Sequence, residues 1–469
     1  MAFASGGGMG TATSKTAGTQ LAVALSAGAS VGDVVAVWVA WDNETATAAE
    51  TGPSRAQLAC TDSQGNIYWG LSSVQQSGSS THTSCAIFLC RVRTALTTSD
   101  TITLDNLNSL TAKAASAHKF TMDSTKRWAC ATQIVSLVTS AADPGSLSLS
   151  GLVSKPYLLL HGLAGEGPTT DAYTWDADYT QIAGAGTTGG TDDSNQHIRG
   201  GYRIATLTSD TVDVASTTAD RDYVQVFCAL VEADYDSTFP VNPVLDDFNR
   251  ANETPIGGDW NPTCSSDPDD PGVGTPGGLL KIVSNEAAVD GSGLNEHGGQ
   301  WWDYFIDAAD AEVFCTIATL PSGTPTNQGA RGAGVQIHGS GCGSSGAPAR
   351  SGQAMKWERQ GSLTAPVDKI RLGTLTTFTI GSPLINAWRN NVAGNKIGLQ
   401  RKGHILNAWI NEGSGWQWIG ALDYQINASF LTGFDKLGLE MTGSEVRADD
   451  FGGGPVADFV PQIIRRVCG

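Results

Sequence analysis

The chain reads as an all-β protein, a duplicated β-sandwich region followed by a larger third module. Three observations predict this. Charged residues make up only 16% of the 469 residues, below the ~25% usual for soluble domains, and 57 glycines with abundant Ser, Thr and Ala take their place. Apolar residues fall in short runs of strand length, as in Val34–Trp41, bounded by Gly, Asn, Asp and Ser. The tripeptide Asp-Asp-Phe occurs at 246–248 and again at 449–451, close to glycine-rich turns. That is expected of a module whose first and last strands lie side by side.

Residues 1–15, rich in Gly, Ser, Thr and Ala, read as a flexible N-terminal arm. A first β module spans 16–126, with runs at Leu21–Leu25, Val34–Trp41, Cys60–Trp69 around Gly65, Cys85–Thr94 and Asp100–Leu104. A second spans 145–236 and repeats the order. Lys155–His161 takes the place of the Val34 run, and Trp175–Ile182 that of the Gly65–Tyr68 region. Gly201–Val214 answers Leu89–Leu104, and Thr-Ser-Asp-Thr stands between two strands in both, at 98–101 and 208–211. Such duplication implies two small sandwiches, or one larger sandwich with pseudo-twofold symmetry. Residues 237–245, with Pro240 and Pro243, read as a stiff extended linker. The third module spans 246–456 and is expected to be separable, so that its removal leaves 1–236 folded. Residues 457–469 read as a docking tail onto another subunit.

A net charge of −18 argues against nucleic acid and anionic membrane as partners. The start lacks the basic and apolar regions of an export signal, and the longest apolar run, Val34–Trp41, falls far short of the ~20 residues of a membrane helix. The expected origin is a reducing cytoplasm. The nine cysteines are scattered, none in a C-x-x-C, and read mostly as small buried hydrophobes, with Cys85 and Cys90 on opposite faces of one strand. The seven histidines are isolated, and Gly28-Ala-Ser-Val-Gly32 leads into a strand, so it reads as a turn rather than a nucleophile elbow. Asp42, Asn43 and Glu44, like Asp171, Asp176 and Asp178, are acidic but lack the spacing of a calcium loop. No cofactor and no metal site is expected; structural calcium stays open without a motif.

From residue 246 the chain carries Asp247–Ala251, Ile256–Trp260, Leu280–Ala287, Ala309–Val313, Arg331–Ile337, Asn395–Arg401 and Ala448–Phe451. This order resembles the concanavalin A-like (laminin-G-like) jelly-roll modules of bacterial secreted proteins and bacteriophage structural proteins. The N-terminal half is similar, more loosely, to β modules in minor tail proteins of phages that infect actinobacteria. The resemblance implies a two-sheet antiparallel sandwich with a concave face.

Eight of the 13 tryptophans follow residue 259. Trp301, Trp302, Trp357, Trp416 and Trp418 are the candidates for stacking on sugar rings; the alternative for each is core packing with its N–H bonded. Glycoside hydrolysis needs two placed carboxylates. The Glu-x-Asp-x-x-Glu run of concanavalin-type glycosidases is absent, and Glu358 stands alone between Trp357 and Arg359, so no enzyme is expected. Lys356, Arg359, Lys369, Arg371, Arg389, Lys396, Arg401 and Lys402 form a basic stretch, facing either an acidic partner, an anionic cell-wall polymer or solvent. The resulting expectation is a virion structural protein, a minor tail protein whose lectin-like module contacts host surface glycans. Its partners would be other virion subunits and copies of itself. The alternatives are a capsid decoration or head fibre, and a secreted carbohydrate-binding or glycan-hydrolysing bacterial protein.

Overall fold

The computed structural model describes residues 3–42, 58–75, 83–216, 221–234, 238–261, 280–290, 297–302, 310–320, 331–340, 351–361, 366–376, 379–424 and 436–456. The fold class is all-β, as expected. The first copy comprises β1 (Ala4–Ser14), β2 (Gly18–Ala24), β3 (Val34–Asp42), β4 (Leu58–Asp62), β5 (Trp69–Gln75), β6 (Thr83–Arg91), β7 (Thr101–Leu110) and β8 (Lys113–Thr121). Its strands form one antiparallel sheet in the order β1-β8-β3-β6-β5 and a smaller one, β2-β7-β4. The second copy comprises β9 (Lys126–Ala141), β10 (Ser146–Leu149), β11 (Lys155–Glu166), β12 (Tyr173–Trp175), β13 (Thr180–Gln181), β14 (Ala185–Gly186), β15 (Gln196–Leu207), β16 (Asp210–Ser216) and β17 (Arg221–Asp234). Its orders, β9-β17-β11-β15-β13 and β10-β16-β12, match the first strand for strand, with β14 an added partner of β15.

Residues 4–14 are therefore not a flexible arm but the edge strand of the first copy, paired along β8. The second copy likewise begins at β9, inside the segment that the sequence pattern left between the modules. In β1 only Met9 is buried, so no apolar alternation marks it. Gly7, with φ 97°, stands at one of its two bulges, where a side chain would be strained. The shared Thr-Ser-Asp-Thr places buried Asp100 and Asp210 at the heads of β7 and β16. Asp100 accepts from Ser63 Oγ at 2.6 Å, Gln64 Nε2 at 2.7 Å and Thr97 N at 2.7 Å, which hold its carboxyl well below the usual range. Asp210 accepts from Tyr179 at 2.5 Å and Arg203 at 2.5 Å.

Alternation along β3 sorts two cores. Val34, Ala36, Trp38 and Ala40 face the second copy, while Val35, Val37, Val39 and Trp41 face β2-β7-β4. Cys85 and Cys90 divide the same way. The two five-stranded sheets thus pack face to face, with a three-stranded sheet outside each. Trp38 Nε1 donates to His161 O at 2.9 Å across that contact.

The C-terminal module is an antiparallel sandwich of β18 (Val244–Asp246), β19 (Trp260–Asn261), β20 (Leu280–Val283), β21 (Glu286–Val289), β22 (His297–Trp302), β23 (Ala311–Thr319), β24 (Arg331–Ser340), β25 (Ser351–Gly361), β26 (Pro366–Thr376), β27 (Thr379–Trp388), β28 (Lys396–Lys402), β29 (Ile405–Asn411), β30 (Trp416–Asp423), β31 (Lys436–Thr442) and β32 (Arg447–Pro455). The two Asp-Asp-Phe segments do lie together, with Val244 opposite Gly452 and Asp246 opposite Phe451. Trp260 packs between them, 5.9 Å from the Phe248 ring and 4.8 Å from that of Phe451, and its Nε1 donates to Asp246 Oδ2 at 2.7 Å.

This sandwich is joined to both N-terminal copies by strand pairing. Strand β27 continues the first-copy sheet through β5, with Ile385 opposite Leu71 and Ala387 opposite Trp69. Strand β30 continues the second-copy sheet through β9, parallel, with Leu422 opposite Cys130. The result is one 12-stranded and one 14-stranded sheet sharing a single apolar core. The expected linker is a strap bound to the sandwich. Phe239 stacks on Trp409 at 5.0 Å, and Glu312 Oε1 accepts the N–H groups of Val241 and Asn242 at 2.7 and 2.6 Å. Phe239→Ala is expected to cost about 3 kcal/mol of stability, read from urea unfolding, because that ring fills a closed aromatic contact.

Candidate functional site

Three of the five sugar-stacking candidates occupy the core. Trp302 is 8% exposed and packs edge-on against Trp260 at 5.3 Å. Trp357 is fully buried and donates to Arg389 O at 2.9 Å. Trp418 is 6% exposed, donates to Asn407 Oδ1 at 3.0 Å and meets Trp128 edge-on at 5.8 Å. A sugar needs an open ring face, so these three are corrected to packing residues. Trp416 is half-buried beside Phe239, 4.8 Å away, and Phe314, 5.9 Å away, and keeps some open surface. The Trp301 side chain lies outside the described residues. Sequence periodicity fixes which ring shares a face with which, but not whether a strap such as 238–245 covers that face.

The basic stretch is not a surface patch. Lys356 and Arg371 are drawn into ion pairs on one face of the β26-β25-β24-β31 sheet, and Arg359, Arg389 and Lys396 into ion pairs elsewhere on the module. In one row Arg371, Lys356, Gly334 and Glu440 lie opposite one another, and in the next Lys369, Glu358, Gly332 and Thr442. Lys356 Nζ sits 3.2 Å from Glu440, 4.0 Å from Glu358 and 2.7 Å from Thr442 Oγ1. Arg371 pairs with Glu358 at 2.6 Å, and Gln336 donates to Glu440 at 2.6 Å. Gly332 forms part of the floor; a Cβ there would fall 2.1 Å from the Trp357 carbonyl. Arg359 binds Asp368 at 2.8 Å and Arg389 grips Glu412 at 2.7 and 2.6 Å, while on the other sheet of the sandwich Lys396 meets Asp450 at 3.0 Å. Arg401 donates to Gly403 O at 2.8 Å.

This array is the most concentrated chemistry on the C-terminal module. Lys356, Glu358, Lys369, Glu440 and Thr442 are all at most 5% exposed. Its two carboxylates would be the nearest approach to hydrolase machinery, yet Glu358 is committed to Arg371 and Glu440 to Lys356 and Gln336. The array ties β24, β25, β26 and β31 together through their side chains. The alternation of Lys356 and Glu358 with Met355 and Trp357 was a usable sign of a polar sheet face; its partners on β24 and β31 lie too far along the chain to be read locally.

The acidic loop residues are also occupied. Asp171 binds Arg221 at 3.0 Å, Asp178 binds Arg203 at 2.7 Å, and Asp176 accepts the Asp213 N–H at 2.7 Å. Asn43 and Glu44 lie outside the described residues. Among the described residues no three His, Cys, Asp or Glu gather to hold a metal ion. Cys60, Cys85, Cys90, Cys130, Cys228 and Cys315 are buried and unbridged, and burial raises each thiol, Cys130 to about 12. A disulfide reagent at pH 8 is therefore expected to leave these six thiols unmodified in the native protein and to reach all six after unfolding.

No protein-family model and no curated protein matches the chain. Among solved structures, a legume lectin-like domain from Entamoeba histolytica aligns at 13% identity and TM-score 0.29, over 38% of this chain and 88% of that domain. The exoplasmic/lumenal domain of VIP36, in a Ca2+/Man3GlcNAc-bound form, aligns at 11% identity and TM-score 0.29, over 39% of this chain and 84% of that one.

Proposed function

We propose that this chain is a non-enzymatic structural subunit of a bacteriophage virion, a minor tail protein whose C-terminal sandwich touches host surface glycans. The observation that carries this reading is the 12-stranded sheet that joins the first copy to the C-terminal module and the 14-stranded sheet that joins the second copy to it. Such a body holds its ends at a fixed separation, as a particle component must. The groups on the C-terminal module best suited to chemistry are tied into internal ion pairs. The glycan part rests on the resemblance of residues 246–456 to lectin-like modules and on the half-open Trp416. The chain would be made in the host cytoplasm and assembled with other virion subunits.

Electron microscopy of purified particles labelled with antibody against residues 238–456 tests this. Label on the tail is expected. Label on the head makes the chain a decoration protein, and unlabelled particles overturn the virion reading. Trp416→Ala particles are expected to adsorb about two- to tenfold less well, since one aromatic contact contributes about 0.5–1.5 kcal/mol; unchanged adsorption rejects glycan contact at that ring.

A further inference from the structure

We propose that the free side of the N-terminal block is a dimer interface at which a second copy of this chain adds its own edge strands. The C-terminal sandwich covers one side of this block, on β5 of the first copy and β9 of the second. In the matching topologies β5 corresponds to β13, and β9 to β1. The opposite side therefore presents the same two kinds of edge that already accept strands of this chain. Strand β1 is 11 residues long, whereas the other strands that end the long sheets, β13, β19 and β20, have 2, 2 and 4.

An open edge offers outward N–H and C=O groups for strand addition, and natural edges are guarded by charge, proline or brevity. Strand β1, Ala-Ser-Gly-Gly-Gly-Met-Gly-Thr-Ala-Thr-Ser, has no charge and no proline, and β13 and β14 are also uncharged. The Ser26 N–H takes the Met9 carbonyl at 2.6 Å; among the described residues no strand pairs with that outer side. The bulges of β1 do not bar pairing, because β9 carries two register shifts against β17 and still accepts β30 on its other edge. A second copy fits better than an acidic or basic partner. On a chain of net charge −18, uncharged edges are where two like molecules meet with least repulsion, and a twofold contact needs only self-complementarity. The self-contact falls within the structural reading above but stands on edge geometry and edge charge.

Sedimentation velocity of the full chain over a range of concentrations tests it. A concentration-dependent dimer is expected. The double variant Gly8→Lys/Thr11→Lys should weaken self-association at least tenfold while the melting temperature stays put. Both positions are exposed, and a Cβ at Gly8 meets nothing within 4 Å. Thr180→Lys, exposed on β13, gives an independent reading from the other strand. Val392→Lys, at an exposed residue of the C-terminal module, should leave the dimer intact. A monomer at every concentration overturns the proposal, and so does a dimer indifferent to both edge variants. Either failure leaves the particle-labelling result untouched.

Discussion

Replacing Lys356 with methionine is expected to destabilise the protein by about 3–5 kcal/mol. Lys356 is 5% exposed and stands between Glu440 at 3.2 Å and Glu358 at 4.0 Å. Methionine fills most of the volume but leaves carboxylates in the sheet face without that cation. Glu440 keeps only the Gln336 amide among the partners described above, while Glu358 keeps Arg371. Lys356→Arg, which restores a cation, should lose much less. Urea unfolding with an unchanged m-value is the measurement. A loss under about 1 kcal/mol for methionine would show the array to be solvated, since exposed pairs contribute no more than that.

Stability should also fall steeply between pH 6.5 and about 4. His118, His161 and His197 are buried, and desolvation lowers their values from 6.5 to about 4, 3 and 3. A neutral imidazole is favoured in the folded state. Across that window the unfolded chain binds more protons, so stability rises with pH and is lost as pH falls from 6.5 toward the folded values. Each histidine contributes about 1.4 kcal/mol per pH unit, and the three together about 4. The surroundings sharpen the effect at His197, whose value is lowered further by Arg199 and Arg221, and whose Nε2 has no acceptor among the described residues. Thermal melts from pH 7 to pH 5 should show the slope, and His197→Gln should reduce it by about a third. A flat profile would place these rings in water.

Much of the fold was legible because it is written in period-2 patterns and local turns. The Val34–Trp41 run is a strand with two buried faces, Cys85 and Cys90 do point to opposite cores, and the two Thr-Ser-Asp-Thr segments mark equivalent corners. The paired Asp-Asp-Phe segments identified the meeting of first and last strands. What stayed hidden depends on backbone pairing or on distant partners. Strand β1 is held by its ladder rather than by apolar side chains. The junctions β5–β27 and β9–β30 are edge contacts with no side-chain signature, so a proline-containing boundary near residue 238 looked like a domain break. The tryptophans were placed on faces by alternation, but their burial follows from Phe239 and Trp128, far along the chain. The site candidates fared worst for the same reason: Lys356 and Glu440 are 84 residues apart.

Differential scanning calorimetry of the intact chain, run beside fragments 1–237 and 238–469, tests the unbroken sheets most directly. One cooperative transition is predicted, with each fragment melting far lower or not folding, because division opens the β5 and β9 edges and strips Trp69 and Trp128 of their cover. Two separate transitions, each reproduced at the same temperature by one fragment, would contradict it and return the molecule to independent modules on a linker.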